Sequence, residues 1–206
     1  MGIASLPLEI QLILVPTIIF ALTFHEYAHA RVAYLLGDYT SYYQNRMNLN
    51  PFNHLDPFGT FALYFLGFGW AKPVPVLMQN LKNPKSDMMM IAMAGPASNM
   101  FLAMVASIIY RLNFYFQFSE EVIFPLEIFI QINIVLAIFN LLPLNPLDGS
   151  RILPLIVKNP RTLYNIEVYG PRVLIGLIIL NLIGIPILST IILTPVSIIF
   201  YLLTGA

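Results

Sequence analysis

Long runs of apolar residues constrain the fold of this chain most strongly. A run of at least about 18 such residues can cross a bilayer as a helix. The clear ones are 6–36, 88–110 and 122–142, followed by an ambiguous run at 173–203. In all, 58% of the residues are hydrophobic and only 10% are charged, against roughly 25% charged in soluble proteins. The sequence therefore predicts an all-α polytopic membrane protein, a bundle of about five or six transmembrane helices in a single domain over 1–206.

Two further segments need a different interpretation. The run 173–203 exceeds one span of roughly 20 residues but falls short of two, and Pro186 and Pro195 could kink one helix or separate two short ones. The run 58–70 is shorter and glycine-containing, which favours a re-entrant or interfacial segment. The prolines within 70–76 exclude a helix interior, and we predict a short β element there, an edge strand at the membrane surface.

The distribution of Lys and Arg predicts an orientation. Four basic residues lie in 37–87, one in the connection near residue 111, and four in 143–172. Provided that the run 58–70 does not cross, the positive-inside rule makes the first and third tracts cytoplasmic, so the first helix runs from the outside to the cytosol and His29 lies in its cytosolic half. The net charge is zero and the basic residues form no patch, which argues against a nucleic-acid partner.

Ionisable groups inside the first apolar run point to a functional site, because they are costly to hold in a membrane. His25 and His29 are four residues apart and share one face of a helix, where both can bind one metal ion. Glu26 stays free for proton transfer. This pattern predicts a zinc hydrolase in which Glu26 accepts a proton from water and returns it to the leaving amine.

A catalytic zinc ion usually has three protein ligands and one open position. Asp148 is the favoured third ligand, because it follows a proline-broken helix end and the topology returns it to the side of His29. A site of two imidazoles and one carboxylate also becomes neutral when its water is deprotonated, which a low dielectric favours. Glu127 should lie at the wrong depth, whereas His54 and Asp56 remain rival ligands.

Other polar residues have weaker interpretations. The Asn140 amide could donate to a developing oxyanion, or it could serve only helix packing in a stripe with Asn133. Gly95 and Asn99 indicate close helix packing.

Two functions compete with hydrolysis: transport of a divalent cation, and a scaffold that keeps zinc only for stability. Neither needs a base beside the metal, so Glu26 discriminates against both. Transport also needs ligands along a route, whereas these polar groups cluster at one depth.

The chain resembles the site-2 protease family of intramembrane zinc metalloproteases, of the M50 type, and within it the short prokaryotic branch without PDZ or CBS domains. The motifs that carry the resemblance are HEYAH at 25–29, NP at 50–51 with HLDP at 54–57, GWAKPVP at 69–75, AGPASN at 94–99 and NLLPLNPLDG at 140–149. Asn145 departs from the proline that relatives often have there.

The resemblance implies that His25, His29 and Asp148 bind one Zn²⁺ and that Glu26 is the catalytic base. It also implies that the substrate is a transmembrane segment of another protein, unwound and cleaved in or near the lipid bilayer. We expect the 70–76 segment to pair with this unwound substrate by strand addition.

Overall fold

The computed structural model describes residues 2–206, and its regular elements are helical. The α-helices are α1 (Leu8–Leu35), α2 (Thr40–Tyr43), α3 (Pro51–His54), α4 (Pro57–Leu66), α5 (Pro84–Phe116), α6 (Glu120–Asn140), α7 (Leu153–Ile156), α8 (Pro160–Leu182) and α9 (Ile187–Thr204). Short 3₁₀ turns lie at Ile3–Ser5, Met78–Asn80 and Asp148–Arg151.

Five of these helices, α1, α5, α6, α8 and α9, are long and apolar enough to cross a membrane. They confirm the prediction of an all-α multi-pass membrane protein. The three clear apolar runs become α1, α5 and α6, with boundaries shifted by a few residues. The ambiguous run 173–203 becomes two helices, because the chain bends at Gly184, which has a φ of +92°, and Pro186 precedes α9. Two helices fit, although the run 173–203 is too short for two full spans, because α8 already begins at Pro160, before the apolar run.

Polar contacts join the helices, and those at the end of α5 determine the direction of α9. Asn99 of α5 bonds the Ala21 carbonyl of α1 and the Asn133 side chain of α6. The Arg111 guanidinium, near the end of α5, donates to the carbonyls of Leu202 and Leu203 at the end of α9. The beginning of α9 packs deep in the bundle, so α9 runs parallel to α5 and ends on the same side.

The hydrophobic core lies where α5, α6 and α9 meet. Its fully or nearly buried side chains are Ala103, Ala106, Ile130, Ile134, Leu188, Ile192 and Val196. Alanines on α5 let the larger side chains of α6 and α9 approach closely, which is how helices associate in a bilayer. The parts of α5 and α6 outside this core lie nearer to α1 and carry the polar groups.

The chain segments before and after α4 lie side by side. Leu55 and Ala71 form an antiparallel β-bridge, and the Lys72 N–H donates to the His54 carbonyl. Between them α4 extends along α1 until the Tyr64 hydroxyl donates to Gln11. The short glycine-containing run thus forms a helix whose two ends meet; whether it is re-entrant or interfacial stays a prediction.

The predicted edge strand at 70–76 is wrong. Within residues 2–206 the segment forms no strand, only the single bridge at Ala71. Pro73 and Pro75 have no N–H to donate to a ladder, and side chains bind their carbonyls instead. The segment is therefore extended without belonging to a sheet.

Candidate metal centre

The two histidines and Glu26 lie on the buried face of α1. The exposed fractions of His25, Glu26 and His29 are 3%, 9% and 7%. The imidazole rings of His25 and His29 are 4.6 Å apart, centroid to centroid, one helical turn from each other. An uninterrupted helix thus directs both Nε2 atoms toward one point.

Asp148 completes this cluster. Its Oδ2 atom lies 3.1 Å from His25 Nε2 and 3.2 Å from His29 Nε2. The chain returns from the end of α6 to the histidines through a tight turn at Gly149, where a Cβ would lie 2.2 Å from the Leu141 carbonyl oxygen. Only glycine allows this close approach.

The geometry fits a zinc ion. Ligand atoms at 2.0–2.2 Å in a tetrahedron are about 3.3 Å apart, close to the observed Oδ2–Nε2 distances. Gly95 of α5 leaves the space for the ion, because a Cβ there would lie 2.4 Å from the Nε2 atoms of both His25 and His29. Three donors typical of catalytic zinc therefore surround a space that a single methyl group would fill.

The other ring nitrogens are fixed by hydrogen bonds. His25 Nδ1 donates to the Asn99 side-chain oxygen over 2.6 Å, and His29 Nδ1 donates to the Ile91 carbonyl over 2.7 Å. Both acceptors lie on α5. Such bonds orient an imidazole and leave the lone pair of Nε2 for a metal.

Glu26 lies outside the three-residue cluster and faces the extended segment. Its Oε2 atom accepts a hydrogen bond of 3.0 Å from the Val74 N–H. On the other side of the segment, Arg46 binds the carbonyls of Lys72 and Pro73, and Ser41 binds the carbonyl of Pro75. The segment is thereby held beside the Glu26 carboxylate.

Asp38 anchors the end of the same segment. It is fully buried and accepts hydrogen bonds from the Leu77 N–H, the Asn80 amide and Thr40. Burial opposes ionisation, but these bonds outweigh it and hold the pKa of Asp38 below its usual value. The stabilisation is present at neutral pH and is lost only as pH falls below about 4, the ordinary carboxyl pKa, toward the lowered one.

The remaining predicted residues lie elsewhere. His54 is buried and bonds the Asn48 carbonyl, and Asp56 caps α4 through the Gly59 N–H, so neither joins the cluster. The Asn140 amide donates to the Leu136 carbonyl of its own helix. Glu127 accepts from the Tyr110 hydroxyl, away from the cluster.

Gly95 and Asn99 contribute more than the helix packing that the sequence indicates. Gly95 leaves room between the imidazoles, and Asn99 orients one of them. Within the motif at 94–99, only Asn99 could have indicated this role from the sequence. It is a lone polar residue in an apolar run, and buried polar groups in membranes usually have partners.

We expect Asp148→Ala to lose zinc. Removing a direct ligand should weaken binding by more than about 100-fold, since even residues that only orient ligands contribute 10–100-fold. Bound zinc per chain, measured by elemental analysis of the purified protein, checks this. Asp56→Asn is the control, because asparagine keeps the cap of α4. Full zinc occupancy in Asp148→Ala together with loss in Asp56→Asn would reverse the assignment.

The chain is similar in sequence to known metallopeptidases. The model of peptidase family M50 matches residues 115–183, which include Asp148. A Bacillus subtilis (strain 168) protein named "Putative zinc metalloprotease YwhC" is 44% identical over 153 residues, which cover 71% of this chain and 70% of that protein. No solved structure matches the chain.

Proposed function

The chain belongs to peptidase family M50, the site-2 protease family, and from this membership we propose an intramembrane zinc endopeptidase. It hydrolyses peptide bonds in or near the transmembrane segments of other membrane proteins. The observation that carries this proposal is the cluster of the buried His25 and His29 with the partly buried Asp148, beside Glu26 and within a chain of apolar helices.

The roles of the residues follow from their chemistry. His25, His29 and Asp148 would hold a zinc ion, which makes water acidic enough to act as a nucleophile near neutral pH. Glu26 accepts the proton of that water and then donates it to the amine that leaves. The Val74 N–H holds one carboxylate oxygen of Glu26, which orients the base.

The substrate must be unwound before it can react, because a helix engages its carbonyls in internal hydrogen bonds. The extended segment offers the groups to bind such a chain. Among residues 2–206 the Val74 carbonyl and both backbone groups of Val76 have no hydrogen-bond partner. A strand of substrate that pairs with these groups would lie beside Glu26.

Removing the one donor among these backbone groups tests substrate pairing. Val76→Pro eliminates the free N–H and should lower kcat/KM by about twofold to tenfold, the effect of one hydrogen bond of 0.5–1.5 kcal/mol. The control is Val76→Ala, which keeps the N–H and reports the loss of side-chain packing against the cluster of Ala33, Leu81 and Ile91. Equal rates for the two variants would contradict pairing at this position.

The orientation of the site is also a proposal. The positive-inside distribution supports placing it toward the cytoplasmic side of a prokaryotic cell membrane. The structure supports this indirectly, because Asp148 lies within the basic tract 143–172 and reaches the end of α1 that precedes the basic tract 37–87.

The proposed activity can be tested with the purified protein in liposomes. A reporter peptide with one transmembrane segment is incubated with it, before and after chelation by 1,10-phenanthroline, and the cut is located by mass spectrometry. We expect cleavage within or next to the apolar segment, loss on chelation and recovery with added zinc. Cleavage that survives complete removal of zinc, or cuts only in a soluble tail, would refute the proposal.

A further inference from the structure

A chain of buried amides leads from α6 to the cluster. Asn99 and Asn133 are both 0% exposed. The Asn133 amide nitrogen donates to the Phe129 carbonyl over 2.9 Å, and the Asn99 amide nitrogen donates to the Asn133 oxygen over 2.9 Å. The Asn99 oxygen then accepts from His25 Nδ1.

The direction of this chain is determined at its far end. The Phe129 carbonyl can only accept, so Asn133 must turn its nitrogen toward it and its oxygen toward Asn99. The Asn99 amide nitrogen therefore faces two acceptors, the Asn133 oxygen and the Ala21 carbonyl. Its oxygen is left for His25.

The consequence for His25 concerns its tautomer. An amide oxygen accepts only, so Nδ1 must carry the hydrogen and Nε2 must present its lone pair to the cluster. A flipped Asn99 would bring its oxygen against two other oxygens in a buried place, which is costly. Without Asn133 the flip is opposed only by the longer bond of 3.2 Å to Ala21.

We propose that Asn133 is a positioning residue for the zinc site and acts on His25 through Asn99. This inference rests on the proposed zinc site, but it assigns a role to a residue of α6 whose side chain bonds Asn99 and the Phe129 carbonyl rather than a zinc ligand. His29 has no such chain, because a backbone carbonyl holds it directly.

Zinc affinity is the direct readout, measured with zinc alone against a chromophoric chelator. We expect Asn99→Leu to weaken binding by about 10–100-fold, and Asn133→Leu by about 10-fold. If Asn133 acts only through Asn99, the double variant binds zinc no more weakly than Asn99→Leu. The cobalt-substituted protein gives a second readout, because its visible absorption bands change when a ligand is reoriented.

A second variant distinguishes loss of the positioning role from misfolding of Asn133→Leu. Asn133→Ser keeps a hydroxyl that can bond the Phe129 carbonyl but is too short to reach Asn99. It should weaken zinc binding as Asn133→Leu does. Ser107→Ala removes another buried polar group of α5, one that bonds only its own helix, and should bind zinc like the parent.

The outcomes separate the two proposals. If the parent protein binds no zinc, the proposed function fails and this inference fails with it. If the parent binds zinc and both Asn133 variants bind it equally well, only the positioning role is refuted. Effects of Asn99→Leu and Asn133→Leu that multiply in the double variant would also refute it, because they would show independent action.

Discussion

Glu26→Gln should lower the rate of cleavage of a transmembrane reporter by about 10²- to 10⁴-fold, the usual contribution of a general base. Glutamine has the shape of glutamate and can still accept the Val74 N–H, so the extended segment should stay in place. It cannot take a proton from water at neutral pH. Initial rates in liposomes with the parent and the variant measure the effect.

Zinc content is the control for this experiment. Glu26 is not in the ligand cluster, so Glu26→Gln should bind as much zinc as the parent. Cleavage at the parental rate by a variant with full zinc occupancy would show that another group accepts the proton. It would also remove the main argument against a scaffold that holds zinc only for stability.

Gly95→Ala should abolish both zinc binding and cleavage. The added methyl group would lie 2.4 Å from the Nε2 atoms of His25 and His29, in the space that the ion needs. Relief would require α5 to move away from α1, which would disrupt the bonds that orient both imidazoles. Bound zinc and cleavage rate should both fall below detection, as measured by elemental analysis and the liposome assay.

The matched control is Gly176→Ala on α8. A Cβ at this position meets nothing within 4 Å, so the same chemical change occurs in a helix without a clash. This variant should keep zinc and activity, and alanine should favour the helix slightly. Normal zinc binding by Gly95→Ala would mean that the ion lies elsewhere among these side chains.

Sequence periodicity and cost of burial predict part of the site. The four-residue spacing of His25 and His29 determines that they share a face, and the topology brings Asp148 to them. Periodicity could not separate Gly95 and Asn99 from ordinary packing residues, because small and amide side chains serve both purposes in membrane helices. Their roles depend on which face of α5 meets α1, which only the packed bundle determines.

The fold, like the site, is only partly predictable from the sequence. Apolar length predicts the spans well, because the bilayer determines how long a helix must be. The pairing of the segment 70–76 is harder to predict, because its prolines indicate an extended backbone but do not indicate which groups bind to it. Arg46 and Ser41, distant in sequence, bind its carbonyls where a neighbouring strand would otherwise lie.

The parallel course of α5 and α9 limits how the chain crosses the membrane. Asn145, three residues before Asp148, donates to the Glu167 carbonyl of α8, and Asn181 near the end of α8 accepts from the Ser189 N–H of α9. We expect that α1, α5, α6 and α9 cross the membrane and that α8 does not change sides, which would put Ser5 and Gly205 on one face and Lys158 on the other. The chain has no cysteine, so a single cysteine introduced at each position could be labelled without interference. An impermeant maleimide added to intact cells would react at Ser5→Cys and Gly205→Cys alike, and differently at Lys158→Cys.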